Sequence, residues 1–233
     1  MLKDPSLRDL LEAGVHFGHR SARWNPKMKK FIFAEKGGIH IINLEKTAEL
    51  LKQADNFLSK QVAEGKTVLF VGTKKQAVEI VRKAAESCGM PYVIERWPGG
   101  LLTNFDIVKQ SIDKMVKMRQ ILLTDEFEQM NKKEQSAFKA LLKRKETLFG
   151  GLADVKKIPD IIFLIDVPGH KIAVKETKEI NVPTIALVDT NANPETIDWP
   201  IPANDDATKS LDLLVNHIAQ VISLNKPKTA DNK

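Results

Sequence analysis

Six side chains stand out in this sequence among the types that hold metals or move protons. His16 and His19 stand three residues apart near the start, and Asp166, Asp189, Asp205 and Asp206 recur in the second half. Imidazole nitrogens and carboxylate oxygens suit divalent ions. Asp166 and Asp189 each follow a short apolar run, IIFLI and TIALV. If those runs are strands of an open α/β sheet, both acids lie at its carboxyl edge, where such sheets bind ligands. His19, Asp189 and Asp205 are then the set that would bridge one structural divalent ion, zinc or magnesium, and pin the N-terminal segment to the sheet. The same acids have a plainer use, in which Asp205 or Asp206 caps the last helix and Asp189 closes a turn with Asn191. The sequence leaves both readings open. His16 and His19 would point the same way on a helical turn. Cys88 precedes Gly89 at a helix end and reads as a buried, inert thiol. As the single cysteine it excludes an intrachain disulfide and a multi-thiolate zinc site. Neither glycine-rich nucleotide signature occurs, nor a nucleophile elbow, H-E-x-x-H or an EF-hand loop, so no cofactor is required by any motif.

A second chemistry is cationic. From Arg20 to Lys36 there are six basic residues and one acid, Glu35. Arg20, Arg23, Lys27, Lys29 and Lys30 could neutralise RNA phosphates, and Trp24 among them could stack on a base. The pair Arg96-Trp97, followed by Pro98, Gly99 and Gly100, repeats the theme. Lys74 and Lys75 sit at a strand-to-helix junction, where helix-terminal N–H groups favour phosphate. Solvated lysines, with Trp24 and Trp97 anchoring their loops, explain the same residues. A net charge of +6 over 233 residues permits a nucleic-acid partner without requiring one.

The elements that must position these residues follow from periodicity. VLFV (Val68 to Val71) and IIFLI (Ile161 to Ile165) are short and wholly apolar, and TIALV (Thr184 to Val188), after Pro183, is a third such run opened by Thr184, as parallel strands buried on both faces are. Tyr92 to Ile94 adds a fourth. Helical patterns run over Leu44 to Glu64, opened by Asn43, and over Thr73 to Cys88, where Thr73 and Gln76 form a capping-box pattern. Two more cover Ile172 to Ile180 and Ala207 to Leu224. Strands alternating with helices predict an α/β fold, a Rossmann-like parallel sheet flanked by helices. Residues 104–150 break the rhythm, with two long helical patterns, narrow apolar seams, ten Lys/Arg and seven Asp/Glu. They predict an inserted antiparallel helical hairpin, an arm outside the core. The expected division is 1–103 with 151–226 for the α/β domain, 104–150 for the hairpin and 227–233 for a flexible tail. The longest apolar runs are too short to span a bilayer, and Asp4, Asp9 and Glu12 interrupt any signal-peptide core, so a soluble cytoplasmic protein is expected.

Several blocks together resemble the family of the second protein of the bacterial small ribosomal subunit. They are LLEAGVHFGHR (Leu10 to Arg20), RWNPKM (Arg23 to Met28), GIHIINLEKT (Gly38 to Thr47), FVGTK (Phe70 to Lys74), RWPGGLLTNF (Arg96 to Phe105), PDIIFLID (Pro159 to Asp166), VDTNANP (Val188 to Pro194) and IPANDDA (Ile201 to Ala207). The resemblance implies a Rossmann-like domain with a helical hairpin and a structural, non-enzymatic role in translation. Its implied partners are small-subunit rRNA and neighbouring small-subunit proteins, including the large OB-fold protein one near the mRNA exit side, with no membrane and no small-molecule substrate. A metal-dependent Rossmann-like enzyme using Asp166, Asp189 and Asp205, or a free protein-interaction module, are the competing readings. At Lys157-Ile158-Pro159-Asp160 the sequence lacks two glycines that the family often has.

Overall fold

A computed structural model describes residues 4–227. The expected tail lies outside the described residues except for Pro227. A five-stranded parallel sheet is formed by β4 (Val68–Val71), β5 (Tyr92–Val93), β6 (Ile161–Ile165), β7 (Thr184–Val188) and β8 (Trp199–Pro202), in the order β5-β4-β6-β7-β8. Side chains alternate between the faces of a strand, so apolar runs serve two cores at once. Phe70, Phe163 and Leu187 join one apolar cluster with residues of α2 (Leu44–Ala63), α3 (Val78–Cys88) and α8 (Thr208–Asn225). Leu69, Val71, Ile162 and Leu164 join the other, with residues of α4 (Phe105–Ile121), α6 (Lys132–Phe149) and α7 (Lys171–Glu179).

Two parts of the chain depart from the sequence expectations. Residues 17–42 form a second, antiparallel sheet, β1 (Phe17–Arg20), β2 (Ile32–Lys36) and β3 (Ile39–Ile42), ordered β1-β3-β2. It follows a short α1 (Leu7–Glu12), whose N-terminus carries a Ser6–Asp9 capping box. The second departure is in residues 104–150. Arg119 meets Glu146 at 2.7 Å, and the Phe127 and Phe138 rings lie 5.6 Å apart. The chain reaches Phe127, on the short α5 (Asp125–Glu128), before turning back into α6, so the two helical stretches run in opposite directions. These helices are not outside the core, however. Val108, Ile112, Met115, Met118, Leu142 and Phe149 belong to the cluster that covers one face of the sheet. The apolar seam is shared between helix pairing and sheet coverage.

The Arg96-Trp97-Pro98-Gly99-Gly100 loop is wrapped around one carboxylate. Glu176, on α7, accepts hydrogen bonds from the Trp97 indole N–H (3.0 Å) and from the backbone N–H groups of Gly100 (2.8 Å), Leu102 (3.0 Å) and Thr103 (3.4 Å). Gly100 sits at φ +83°, a left-handed turn that glycine adopts without penalty. Burial works against the Glu176 charge, but these donors outweigh it and hold its pKa below the ordinary carboxylate value. Replacing Glu176 with Ala strands the indole and the loop amides, and is expected to cost about 3 kcal/mol. Urea unfolding at neutral pH measures this. Because the folded pKa is depressed, the contribution is present above pH 4.5 and is lost as pH falls through the folded value.

Candidate functional site

In the order β5-β4-β6-β7, the connection after β4 leads to one side and the connection after β6 to the other, which opens a crevice at the carboxyl ends of β4 and β6. Lys74 follows β4 and Asp166 follows β6. Asp189 follows β7, and Asp205 and Asp206 lie between β8 and α8. Their side chains converge. The Lys74 Nζ is 2.6 Å from Asp205 Oδ1, 2.8 Å from Asp206 Oδ1 and 3.8 Å from Asp166 Oδ1. His19, delivered by β1, sets Nδ1 3.0 Å from Asp189 Oδ1 and Nε2 3.3 Å from Asp206 Oδ2. The Asp205 backbone N–H donates to Asp189 Oδ2 at 3.2 Å.

The antiparallel sheet is stitched to this edge through Thr190. The His19 N–H donates to Thr190 Oγ1 (2.8 Å), and the Asn25 N–H donates to the Thr190 carbonyl (2.7 Å). Gly18 makes the approach feasible, since a Cβ there would lie 2.5 Å from the Thr190 methyl and 3.1 Å from the His40 carbonyl.

Four carboxylates face two basic groups, so electrostatics dominate. Asp189 and Asp205 are wholly buried. Burial, then the Asp189 charge, pushes Asp205 up to about 7, with Lys74 pulling the other way. Burial disfavours the Lys74 ammonium too, yet Asp205, Asp206 and Asp166 together raise its pKa above the ordinary lysine value. The hydrogen bond to Asp189 raises that of His19. One Asp205 oxygen, Oδ2, is buried without a hydrogen-bond partner among the described residues. Ligand atoms of His19, Asp189, Asp205 and Asp206 all lie within 4.8 Å of one another, the spacing of a metal-ligand set. Asp206 therefore joins the three residues singled out by sequence.

Several sequence expectations are corrected here. Lys74, expected at RNA, is spent on internal carboxylates. Thr73 and Gln76 form no capping box, because α3 begins only at Val78 with no side-chain cap, and Thr73 Oγ1 lies 3.3 Å from His170 Nε2. Neither Asp205 nor Asp206 caps α8. Asn204 Oδ1 accepts from the N–H groups of Asp206 and Ala207, both at 2.8 Å. His16 and His19 are not on a helical turn but beside and within β1, and they diverge. His16 lines a groove with Leu7, Leu11 and Phe33, and burial lowers its pKa.

Arg20, Arg23, Lys29, Lys30, Lys75 and Arg96 are all exposed. None forms an ion pair among the described residues. Lys27 differs, being paired with Glu195. The two tryptophans have different tasks. Trp97 is buried on Glu176, and Trp24 is half-buried with its ring edge-on to His40 at 4.9 Å. Cys88 is buried, and burial pushes its pKa up to about 11, as an inert thiol requires.

With fold and edge in place, comparison with known proteins is direct. The model of the family Ribosomal protein S2 matches residues 10–224. Small ribosomal subunit protein uS2 of Campylobacter hominis is 48% identical over 221 residues, covering 95% of this chain and 83% of that protein. Small ribosomal subunit protein uS2 of Petrotoga mobilis is 50% identical over 217 residues, covering 93% and 75%. That of Dictyoglomus thermophilum is 47% identical over 216 residues, covering 93% and 88%. The chain belongs to the ribosomal protein S2 family, whose members are structural rather than enzymatic, and its role is structural, in the ribosome.

Two outcomes follow from the geometry. Gly18→Ala should destabilise the protein by about 1–3 kcal/mol, the usual cost of overpacking. Denaturant unfolding measures the cost, and hydrogen exchange should show faster exchange at the His19 amide. The second concerns pH. Asp205 is an acid whose pKa rises on folding from 3.8 to about 7, so the folded state holds its proton longer than the unfolded chain. His19 also keeps its proton longer when folded. In chelator-treated protein both contributions fall as pH rises, Asp205 between about 4 and 7 and His19 from 6.5 upward through its folded pKa. Thermal melts across this range should show declining stability, and Asp205→Asn should flatten the decline.

Proposed function

We propose that this chain is a component of the small ribosomal subunit that binds small-subunit rRNA through its N-terminal basic face. The observation that carries this is a set of guanidinium and ammonium groups without internal carboxylate partners, Arg20, Arg23, Lys29 and Lys30, on a segment held rigidly to the sheet edge. Lys75 and Arg96 add to it from other loops. Lys27 contributes less, because Glu195 already neutralises it. Recognition is of RNA shape and backbone, since the deep major groove of an RNA helix hides its bases. The relatives bear the name of a small-subunit protein, which supports the same placement. A cytoplasmic location goes with it, and no described helix is long and apolar enough to cross a membrane.

The reading extends to two partners. A divalent ion, zinc or magnesium, fits His19, Asp189, Asp205 and Asp206. The unpartnered Asp205 oxygen and the excess of carboxylates over cations favour it. Its role would be structural, joining β1 to the sheet edge. The OB-fold small-subunit protein one would dock nearby, where Leu7, Leu11, Phe33 and Ile41 line an apolar groove of about 460 Å³.

Changing Arg20, Arg23, Lys29 and Lys30 to Glu should leave circular dichroism and melting unaltered and remove the chain from small subunits in a sucrose gradient. Normal assembly of that folded variant contradicts the RNA-binding face. Elemental analysis of purified native protein should find a stoichiometric divalent ion that His19→Ala loses; a metal-free wild-type chain contradicts the ion.

A further inference from the structure

On the far side of the Asp189 loop from α8, the structure contains a groove that none of the functional readings above uses. It has a volume of about 490 Å³ and runs between α7, the turn after β6 and the Asn191–Asn193 loop after β7. Its floor is apolar, built from Val167, Pro168, Val174 and Ala192. Lys171, Lys175 and Lys178 line one wall, and no carboxylate lines the groove. Their spacing of four and three residues puts all three ammonium groups on one face of α7. All three are exposed and form no ion pair among the described residues.

The opposite wall supplies donors. Asn25 Oδ1 accepts the Lys27 N–H at 3.0 Å, and Asn193 Oδ1 accepts the Glu195 N–H at 3.1 Å. With their oxygens engaged, both amides present their Nδ2 hydrogens. The groove therefore offers three cations and two amide donors over an apolar floor, and its ligand must be anionic with a flat or apolar part. A free phosphate is too small. Lys171 and Lys178 are separated by roughly 10 Å along the helix axis, at 1.5 Å per residue, so the row of lysines is long enough for more than one phosphate.

We propose that this groove seats a single-stranded segment of RNA, with successive phosphates along Lys171, Lys175 and Lys178 and an unstacked base on the apolar floor. Asn25 and Asn193 would donate to acceptors on the base edge or ribose, as single-stranded RNA recognition requires. The inference rests on the ribosomal reading and adds to it a second RNA surface. That surface is continuous with the first, because Asn25 opens the turn that carries Lys29 and Lys30, and this turn packs on the 194–196 turn. An acidic peptide would satisfy the lysines and amides too but lacks the planar base that suits the apolar floor, and it is the competing occupant in the test.

The test uses the full chain with hexauridylate as probe. Wild type should bind it, and Lys171→Gln/Lys175→Gln/Lys178→Gln should weaken binding at least about tenfold, with the salt slope reduced by about 2, as three lost single-strand phosphate contacts imply. Matched circular dichroism and melting establish that the variant is folded, and the neutral Gln substitutions keep the helix propensity of α7. A 4-thiouridine probe should crosslink to Pro168 or to the 191–193 loop. No binding by wild type, unaltered binding by the triple variant, or tighter binding of a polyglutamate peptide than of hexauridylate at equal charge would each overturn the proposal. The proposed function has its own readout: if the triple variant and wild type bind hexauridylate alike but wild type sediments with small subunits, the groove inference fails and the ribosomal role stands. If wild type never sediments with small subunits, the ribosomal role fails.

Discussion

Four carboxylates crowd the carboxyl edge of the parallel sheet, and the structure depends on how their charge is balanced. Asp166, Asp189, Asp205 and Asp206 arrive from three different strand ends, with Asp189 and Asp205 fully buried. A buried carboxylate left without compensation costs several kcal/mol. Compensation comes from two distant parts of the chain, Lys74 after β4 and His19 on β1. The same contacts that neutralise the acids also tie the N-terminal sheet to the parallel one. Electrostatic balance and tertiary attachment are therefore one constraint, and the basic turns that follow His19 inherit their position from it.

This constraint also occupies the crevice of a sheet of nucleotide-binding topology with the protein's own charged side chains. Open sheets of this strand order bind ligands in the crevice where the chain reverses direction. Here the crevice is filled from within by the Lys74 ammonium. His170, which lies near Thr73, donates from Nδ1 to the Asp166 carbonyl at 2.9 Å, so it too serves the internal network. The cations that remain without internal partners are on outward faces. A structural ribosomal protein needs that distribution, in which opposite charges are paired inside and like charges are presented to a polyanion.

Much of this was legible in the sequence, for physical reasons. Continuous apolar runs identified β4, β6 and, after Thr184, β7, because strands buried on both faces leave no room for alternation. Asn43 marked the start of α2, and its Oδ1 accepts from the Glu45 and Lys46 N–H groups. The metal-competent set was legible because strand ends are where an α/β sheet gathers polar groups. Other features were hidden. Strands β1 and β2 are short and mostly exposed, and β3, although it carries three isoleucines, is only four residues long and interrupted by His40, so none shows the continuous buried run of the parallel strands. β8 contains Pro200 and Pro202, which argue against a strand except at a sheet edge, where it lies. The role of Glu176 could not be read, since its donors are a side chain and backbone amides more than seventy residues away. Asp205 and Asp206 do not cap α8 because they are committed to Lys74 and the sheet edge, and the turn ahead of the helix is closed by Asn204 instead. The lysines of α7 did carry a signal, a spacing of four and three on one helix face.

Hydrogen exchange at single-residue resolution in Asp189→Asn tests the central claim most directly. This change removes one buried charge while keeping the side-chain shape. If the charge cluster is what fastens the N-terminal sheet, the amides of His19 and Asn25, which donate to Thr190, should lose protection while those of β4 and β6 keep theirs. Equal protection of His19 and Asn25 in variant and wild type would show that the N-terminal sheet is held by something other than this balance of charge, and would contradict the account.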